Sequence, residues 1–151
     1  MVSASQNQGM AELYRTTRRV EFAETDAAGM IHFSSYFLYM EQAEHALLRH
    51  VGTSVVTKDG SGTISWPRVA TNCDYSRPVK FEDELQIDVG ILRLGEKSIT
   101  YQFYFLHKDQ QVALGQITSV CCRFVPGQPP QPIIIPETFV EQLRPYATAS
   151  H

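Results

Sequence analysis

The stretch that decides the fold runs from Arg18 to Gly52 and reads RRVEFAETDAAGMIHFSSYFLYMEQAEHALLRHVG. It joins the end of a strand-like alternation, a turn of small residues around Asp26, and a helix-like repeat. The single carboxylate in that turn raises the first question about function. A turn aspartate that is solvated or bonded to its own backbone is the ordinary interpretation, so the rest of the sequence has to decide.

The second half of this stretch predicts an amphipathic helix that begins at about Ser34 and runs for about 16 residues. Ser34 or Ser35 is predicted as the N-cap, and Gly52 is predicted as the C-terminal stop. The width and aromatic character of the apolar stripe predict that the helix is largely buried. The stripe consists of Tyr36, Met40, Ala43, Leu47 and Val51, widened by Phe37 and Leu48.

Outside the helix, the chain alternates between apolar and polar residues with the period of two that is typical of strands. One helix followed by about four antiparallel strands predicts an α+β fold in which the helix covers one face of the sheet. A single helix leaves sheet surface or an edge uncovered, which favours self-association. The predicted strands are residues 14–23, 64–75, 84–94, 98–107 and 112–125, and residues 136–146 predict a short terminal helix.

Length and composition indicate one globular domain. The chain has 151 residues, of which 43% are hydrophobic and 19% are charged. We expect a domain over residues 13–146, a disordered N-terminal tail over 1–12 and a C-terminal tail over 147–151. The formal net charge of −3 argues against a nucleic-acid partner, because such partners are bound by a concentrated basic face.

The cysteines and the apolar runs bear on compartment and on metal binding. The three cysteines form no C-x-x-C pair, so neither a disulfide framework nor a zinc site is predicted, and a cytoplasmic location is favoured. No apolar run approaches the length of a membrane span, so no membrane partner is expected. The five histidines show no metal-ligand spacing, and no metal is predicted.

Three segments carry a family resemblance. VEFAETDAAGMIHFSSYFLYMEQA (20–43), YSRPVKFEDEL (75–85) and the pair Lys97–Ser98 resemble the hotdog-fold thioesterases of the 4-hydroxybenzoyl-CoA thioesterase type. The first match is the sharpest, and in the second Glu82 stands where the family commonly has glycine. The resemblance covers the chain from about residue 15 to residue 143.

The resemblance implies a fold, an assembly and an activity. The fold is an antiparallel sheet of about five strands wrapped around one long central helix. The assembly is a homodimer or homotetramer with active sites at the subunit interface. The activity is hydrolysis of an acyl- or aroyl-CoA thioester without a cofactor, since coenzyme A is part of the substrate.

The resemblance also implies roles for residues of the turn and the helix. Asp26 acts as the nucleophile or as the general base on water, and the backbone amide of Phe33 polarises the thioester carbonyl. His32 either lines the acyl pocket or is bonded to backbone. Glu41 matches a commonly acidic helix position and either orients a pocket group or faces solvent. Glu44 is a further candidate, because another hotdog clade places its catalytic carboxylate on the helix.

Coenzyme A brings a 3′-phosphate and a pyrophosphate, which basic side chains at hairpins can bind. An ordinary solvated charge is the alternative for each such residue. The aromatic residues Tyr36, Phe37 and Trp66 either line an aryl pocket or belong to the core. The candidates for phosphate binding are Lys97, Ser98, Arg123 and Arg77.

Two other functions remain open from sequence. One is an acyl-CoA hydratase or dehydratase on the same fold, which typically uses an Asp and a His five residues apart in a different turn, whereas Asp26 and His32 are six apart. The other is a non-catalytic module that binds CoA esters. The complete Asp26 turn argues against that module, since binding alone does not need the carboxylate.

Overall fold

The computed structural model describes residues 11–148. Most of the two predicted tails, residues 1–10 and 149–151, therefore lies outside the described residues. Two residues that were predicted to belong to the C-terminal tail contact the sheet. Ala147 forms a bridge with Ile91, and the Thr148 N–H donates to the Ile91 carbonyl at 3.1 Å.

The main sheet has five strands, all antiparallel, in the order β1-β5-β6-β7-β4. The buried side chains of β6 alternate strictly with less buried ones, because one face of the strand packs on the core and the other does not. Two of the predicted strands, 84–94 and 98–107, match β5 and β6. The strands are β1 (Tyr14–Arg19), β4 (Arg68–Tyr75), β5 (Glu84–Leu94), β6 (Ser98–His107) and β7 (Gln110–Val120).

Helix α1 (Phe33–His50) packs its apolar stripe on this sheet and forms the core with it. The side chains of Tyr39, Met40 and Leu47 are fully buried there, together with the inward residues of β5 and β6. The helix packs tightly against Gly115 of β7, where an added Cβ would overlap the Met40 Sδ atom. The predicted α+β hotdog arrangement, with an antiparallel sheet of five strands and one long helix, is confirmed.

The N-terminus of α1 differs from the prediction. The N-cap is His32, whose Nδ1 accepts a hydrogen bond from the Ser34 N–H at 3.2 Å, so the prediction of Ser34 or Ser35 is wrong. Ser34 is inside the helix, and the Ser35 hydroxyl donates to the Glu24 carbonyl at 3.0 Å instead. At the other end Gly52, with φ of +88°, follows the helix in the left-handed conformation that glycine favours.

A second, four-stranded sheet was not predicted. Two predicted strands divide to form it: 64–75 is interrupted at Trp66 and Pro67, and 112–125 is interrupted at Cys121. The chain enters the main sheet at the first point and leaves it at the second. The short strands are β2 (Thr57–Asp59), β3 (Gly62–Ser65), β8 (Cys122–Phe124) and β9 (Gln131–Pro132), and α2 (Glu137–Leu143) follows them.

The three cysteines are free thiols, as predicted. No helix within residues 11–148 is long and apolar enough to cross a membrane. The cytoplasmic location and the expected absence of a metal or a resident cofactor stay predictions.

Candidate active site

The Asp26 turn is held by its own backbone. The Asp26 N–H donates to the Met30 carbonyl at 2.7 Å. The carboxylate Oδ1 accepts from the N–H groups of Ala28 at 2.8 Å and Met30 at 3.2 Å. Gly29 takes φ of +76°, a value that favours glycine. Oδ2 has no hydrogen bond within residues 11–148, so one oxygen builds the turn while the other is available for chemistry.

Asp26 lies at a cleft of about 250 Å³ between the turn, the start of α1 and the end of β4. The rings of Tyr36 and Tyr75 lie 4.9 Å apart, centroid to centroid, in its wall. Of the charged residues, Asp26 and Arg77 contribute to the lining. The cleft is therefore an apolar, aromatic pocket with one carboxylate and one guanidinium. Its other lining residues are Met30, Ile31, Phe33, Pro78 and Val79.

The first residue of α1 supplies a free donor at this cleft. The His32 N–H donates to the Glu24 carbonyl at 2.8 Å and the Ser35 N–H to the His32 carbonyl at 2.9 Å, and the Ser34 N–H is bound by the cap. The Phe33 N–H alone in this run has no acceptor within residues 11–148. A free N–H at a helix N-terminus carries partial positive charge, which suits it to a developing oxyanion.

His32 has a capping role rather than a place in the pocket lining. Its Nδ1 lies 2.7 Å from the Ser34 Oγ, and its ring packs on Phe33 with the centroids 4.5 Å apart. Of the two interpretations of this histidine, the one with a hydrogen bond to backbone fits the structure. His32 therefore contacts the start of the helix and not the interior of the cleft.

Glu41 and Glu44 do not line the Asp26 cleft of the same chain. Both bind Arg68, at 3.2 Å from Nη2 to Glu41 and at 2.8 Å from Nη1 to Glu44. The Ser119 Oγ accepts a further hydrogen bond from Nη1 at 2.8 Å. Arg68 was not identified from sequence, because a partner 24 residues from Glu44 leaves no local signal.

Glu44 provides a pH-dependent test of this cluster. The side chain is 1% exposed, and burial raises its pKa from 4.5 to about 7 against the opposing attraction of Arg68. Between pH 4.5 and 7 the folded chain thus holds a proton that the unfolded chain has lost. The contribution to the free energy of unfolding is present at the acidic end and declines by about 2–3 kcal/mol as the pH rises to 7.

Glu44→Gln cannot titrate, so it serves as the reference for this prediction. Urea unfolding of both proteins at several pH values gives the difference in unfolding free energy between wild type and variant. We expect that difference to fall from pH 4.5 to 7. A difference that does not change with pH would show that folding does not shift the pKa of Glu44.

The predicted CoA contacts Lys97 and Ser98 lie at the opposite end of the sheet from the cleft. The Lys97 carbonyl accepts from the Cys121 N–H at 2.8 Å, and Ser98 pairs with Val120. Val120 lies beside Arg68, the residue at which β4 begins. The cleft lies where β4 ends, roughly 23 Å further along the strand. Within one chain, these residues and Asp26 do not meet.

The other two predicted CoA contacts have different surroundings. Arg123 donates from Nη2 to the Asp59 carboxylate at 2.6 Å, so its charge is already paired. Arg77 lines the Asp26 cleft itself. Tyr75, two residues before Arg77, was not identified as a site residue, although it begins the YSRP motif; its hydroxyl donates to the Phe33 carbonyl at 3.4 Å.

Comparison with known proteins identifies the family. The model of the thioesterase-like superfamily matches residues 20–143. The 1,4-dihydroxy-2-naphthoyl-CoA hydrolase of Synechococcus sp. (strain WH7803) is 32% identical over 113 residues, which are 70% of this chain and 74% of that protein.

Solved structures agree. A gentisyl-coenzyme A thioesterase superposes with a TM-score of 0.75 at 25% identity, over 86% of this chain and 99% of that one. A 1,4-dihydroxy-2-naphthoyl-CoA thioesterase from Synechocystis superposes with a TM-score of 0.78 at 18% identity, over 88% and 96%. These matches confirm the predicted hotdog fold and the predicted class of thioester hydrolase. The chain therefore belongs to the thioesterase-like superfamily.

Proposed function

We propose that this chain hydrolyses acyl-CoA thioesters, and aroyl-CoA thioesters in particular, to the free acid and coenzyme A. The observation that carries the proposal is that one aromatic cleft is lined both by Asp26, which supplies a carboxylate, and by Phe33, whose N–H has no acceptor within residues 11–148. One group can attack or activate water, and the other can stabilise the oxyanion.

The chemistry needs little more than these two groups. As general base, Asp26 takes a proton from water while the water oxygen bonds to the thioester carbon. As nucleophile, its oxygen bonds to that carbon itself, loss of the coenzyme A thiolate leaves a mixed anhydride, and water then cleaves that anhydride. In both cases negative charge develops on the carbonyl oxygen, where the Phe33 N–H donates. The carbon–sulfur bond then breaks and coenzyme A leaves as the thiolate.

The walls of the cleft favour an aromatic acyl group. Tyr36 and Tyr75 present two rings to its interior, and aromatic pairs prefer offset or edge contacts with another ring. The relatives named above are hydrolases of dihydroxynaphthoyl-CoA and gentisyl-CoA, both of which carry aromatic acyl groups. Arg77 at the cleft can donate to a hydroxyl or a phosphate oxygen of such a substrate.

A homodimer would bring the two halves of the substrate site together. Strand β4 is an edge of the main sheet, and none of its eight residues is buried. An exposed edge of this kind pairs readily with another strand. Antiparallel pairing of two β4 strands about a two-fold axis places the end of one beside the beginning of the other.

This pairing has a consequence for the residues that do not meet within one chain. The Tyr75 end of one subunit, with its Asp26 cleft, would lie beside the Arg68 end of the second subunit. Lys97, Ser98 and the Glu41 carboxylate of the second subunit would then approach the cleft. The proposed site thus takes its reacting groups from one chain and its phosphate contacts from the other.

Lys97→Ala should raise KM several-fold with little change in kcat, because the ground state and the transition state share a phosphate contact. Mixed dimers test whether that contact crosses the interface. A dimer of one Asp26→Asn chain and one Lys97→Ala chain would contain one site with both native residues. Activity with the wild-type KM should therefore appear on mixing.

The matched control reverses this outcome. A chain that carries both substitutions, mixed with wild-type chains, gives hybrid dimers in which each site has lost one of the two residues. Once separated from the wild-type homodimers, those hybrids should show no active component with the wild-type KM. The shared site would be contradicted if the wild-type KM appeared in the control hybrids and not in the first mixture. An unchanged KM for Lys97→Ala alone would also contradict it.

The substrate class is tested with a panel of CoA esters and a thiol reagent. Benzoyl-, hydroxynaphthoyl- and short-chain acyl-CoA should all be compared by the release of free coenzyme A. We expect the highest kcat/KM with an aromatic acyl group. Hydration of an enoyl-CoA without thiol release would instead identify a hydratase, and binding without any turnover would identify a CoA-ester binding module.

A further inference from the structure

Glu24 is a largely buried carboxylate that lies next to the proposed site but does not line the cleft. Its side chain is 14% exposed. Oε1 accepts from the Tyr39 hydroxyl at 2.7 Å and from the Glu21 N–H at 2.9 Å. Oε2 binds Nη2 of Arg18 at 2.6 Å. Each carboxylate oxygen therefore has a partner from a different part of the fold.

The backbone of Glu24 makes a second set of contacts, with the start of α1. Its carbonyl accepts from the His32 N–H at 2.8 Å and from the Ser35 hydroxyl at 3.0 Å. These two residues flank Phe33, the donor of the proposed oxyanion site. Glu24 itself lies two residues before Asp26. One residue thus contacts the residues on either side of Phe33 and is connected to Asp26 through a single intervening residue of the chain.

The partners of Glu24 are themselves rigid. Tyr39 is fully buried in α1, and the Arg18 guanidinium lies over its ring at 5.0 Å. Arg18 also donates to the Gln42 side chain at 3.0 Å, one turn further along the helix. The Glu24 carboxylate, two residues before Asp26, therefore binds both strand β1, through Arg18, and helix α1, through Tyr39.

The charges around Glu24 are consistent with an ionised carboxylate. Burial alone would raise its pKa, but the hydrogen bonds from Glu21, Tyr39 and Arg18 outweigh burial and lower the pKa. Charge-assisted hydrogen bonds of this kind are stronger than neutral ones.

We infer that Glu24 is a positioning residue, which holds the Asp26 carboxylate at a fixed distance from the Phe33 N–H. The inference rests on the proposed function of those two groups. It predicts that weakening the Glu24 contacts lowers the rate of the chemical step more than it lowers affinity for the substrate. The reason is that a displacement of about 1 Å at reacting groups can cost on the order of 10²-fold in rate.

The principal test is Glu24→Gln, which preserves size but removes the charge opposite Arg18. We expect kcat to fall by about 10- to 100-fold, while the dissociation constant of a non-hydrolysable thioether analogue of the CoA ester stays within about twofold. Tyr39→Phe, which removes one hydrogen bond and keeps the ion pair, should lower kcat in the same direction by a smaller factor. An unchanged kcat in either folded variant would overturn the inference.

Asp88→Asn is the matched control. Asp88 forms a bidentate ion pair at 2.8 and 2.9 Å with Arg15, which is also in β1, but this pair lies away from the Asp26 turn. The control should lose thermal stability and keep its kcat. A loss of kcat in Asp88→Asn as large as in Glu24→Gln would reduce the role of Glu24 to general stability.

A double variant separates positioning from an independent role. If Glu24 acts only through Asp26, then Glu24→Gln should cause no further loss of kcat in the Asp26→Asn background, because the two substitutions then affect one unit. A further loss of kcat as large as the loss that Glu24→Gln causes in the wild-type background would overturn the inference. Near-normal turnover of Asp26→Asn alone would instead contradict the proposed function, and this outcome is measured separately.

Discussion

Asp26→Asn is expected to lower kcat by about 10²- to 10⁴-fold, the range lost when a general base is removed. The asparagine carbonyl can still accept the hydrogen bonds that Oδ1 receives from Ala28 and Met30, so the turn should keep its shape. What disappears is the negative charge that attacks the thioester carbon or takes the proton from water. Binding of a non-hydrolysable CoA thioether, measured by calorimetry, should be nearly unchanged.

Asp83→Asn is a suitable control for this variant. Asp83 is also a turn aspartate, and its Oδ2 accepts from the Lys80 N–H at 2.9 Å, but it does not line the cleft. We expect near wild-type kcat for this variant. Comparable turnover in Asp26→Asn would remove that carboxylate from the mechanism and leave it as an ordinary turn residue.

Phe33→Pro is expected to cause the second large loss, because it removes the proposed oxyanion donor. Proline is well tolerated at the first position of a helix, where its missing N–H has no intrahelical acceptor. The preceding residue, His32, has φ of −69° and ψ of +139°, the extended conformation that a following proline requires. The substitution should therefore delete one N–H while the helix remains intact.

Phe33→Ala provides the comparison, since it removes the same aromatic side chain and keeps the N–H. Relative to alanine, proline should lower kcat by about 10²- to 10³-fold, as the loss of one oxyanion donor does in other acyl transfers. Circular dichroism and thermal melting should show similar helix content in both. Equal kcat for the two variants would exclude the Phe33 amide as the donor.

Local sequence patterns were sufficient to predict the elements that are determined by residues close together in the chain. The helix begins at Phe33 rather than at about Ser34, and Gly52 ends it as expected. β5 and β6 match the predicted segments because each alternates cleanly and is bounded by a turn. The Asp26 turn could be identified because the residues that form it are adjacent in sequence.

The differences come from contacts between distant residues. The N-cap was misassigned because Ser35 is engaged by the Glu24 carbonyl, eleven residues away, and general cap preferences do not include such a contact. Pro67 lies where the chain passes from one sheet to the other, directly before β4, which is an edge strand with an irregular register between Arg68 and Ala70. Arg68 could not be identified at all, since its partners are on the helix.

Two of the predicted phosphate contacts, Lys97 and Ser98, do not meet Asp26 within one chain for a different reason. Their match to the family is local, but the length of a strand separates Lys97 from the cleft of the same chain. In the proposed homodimer, Lys97 of the second subunit lies closer to this cleft than Lys97 of the same chain does. No single-chain pattern contains this information, so the prediction of Lys97 and Ser98 depends on the assembly.

The close approach of α1 to Gly115 has a consequence for selectivity. Met40, which occupies the space that a larger residue at 115 would need, lies one turn after Tyr36, and Tyr36 forms a wall of the cleft. A methyl group added on the sheet would overlap the Met40 Sδ atom, so that either the Met40 side chain or the helix that carries the Tyr36 wall would have to shift. Homologues could in this way change the width of the acyl pocket, and hence the size of the acid they release, without any substitution at a residue that touches it.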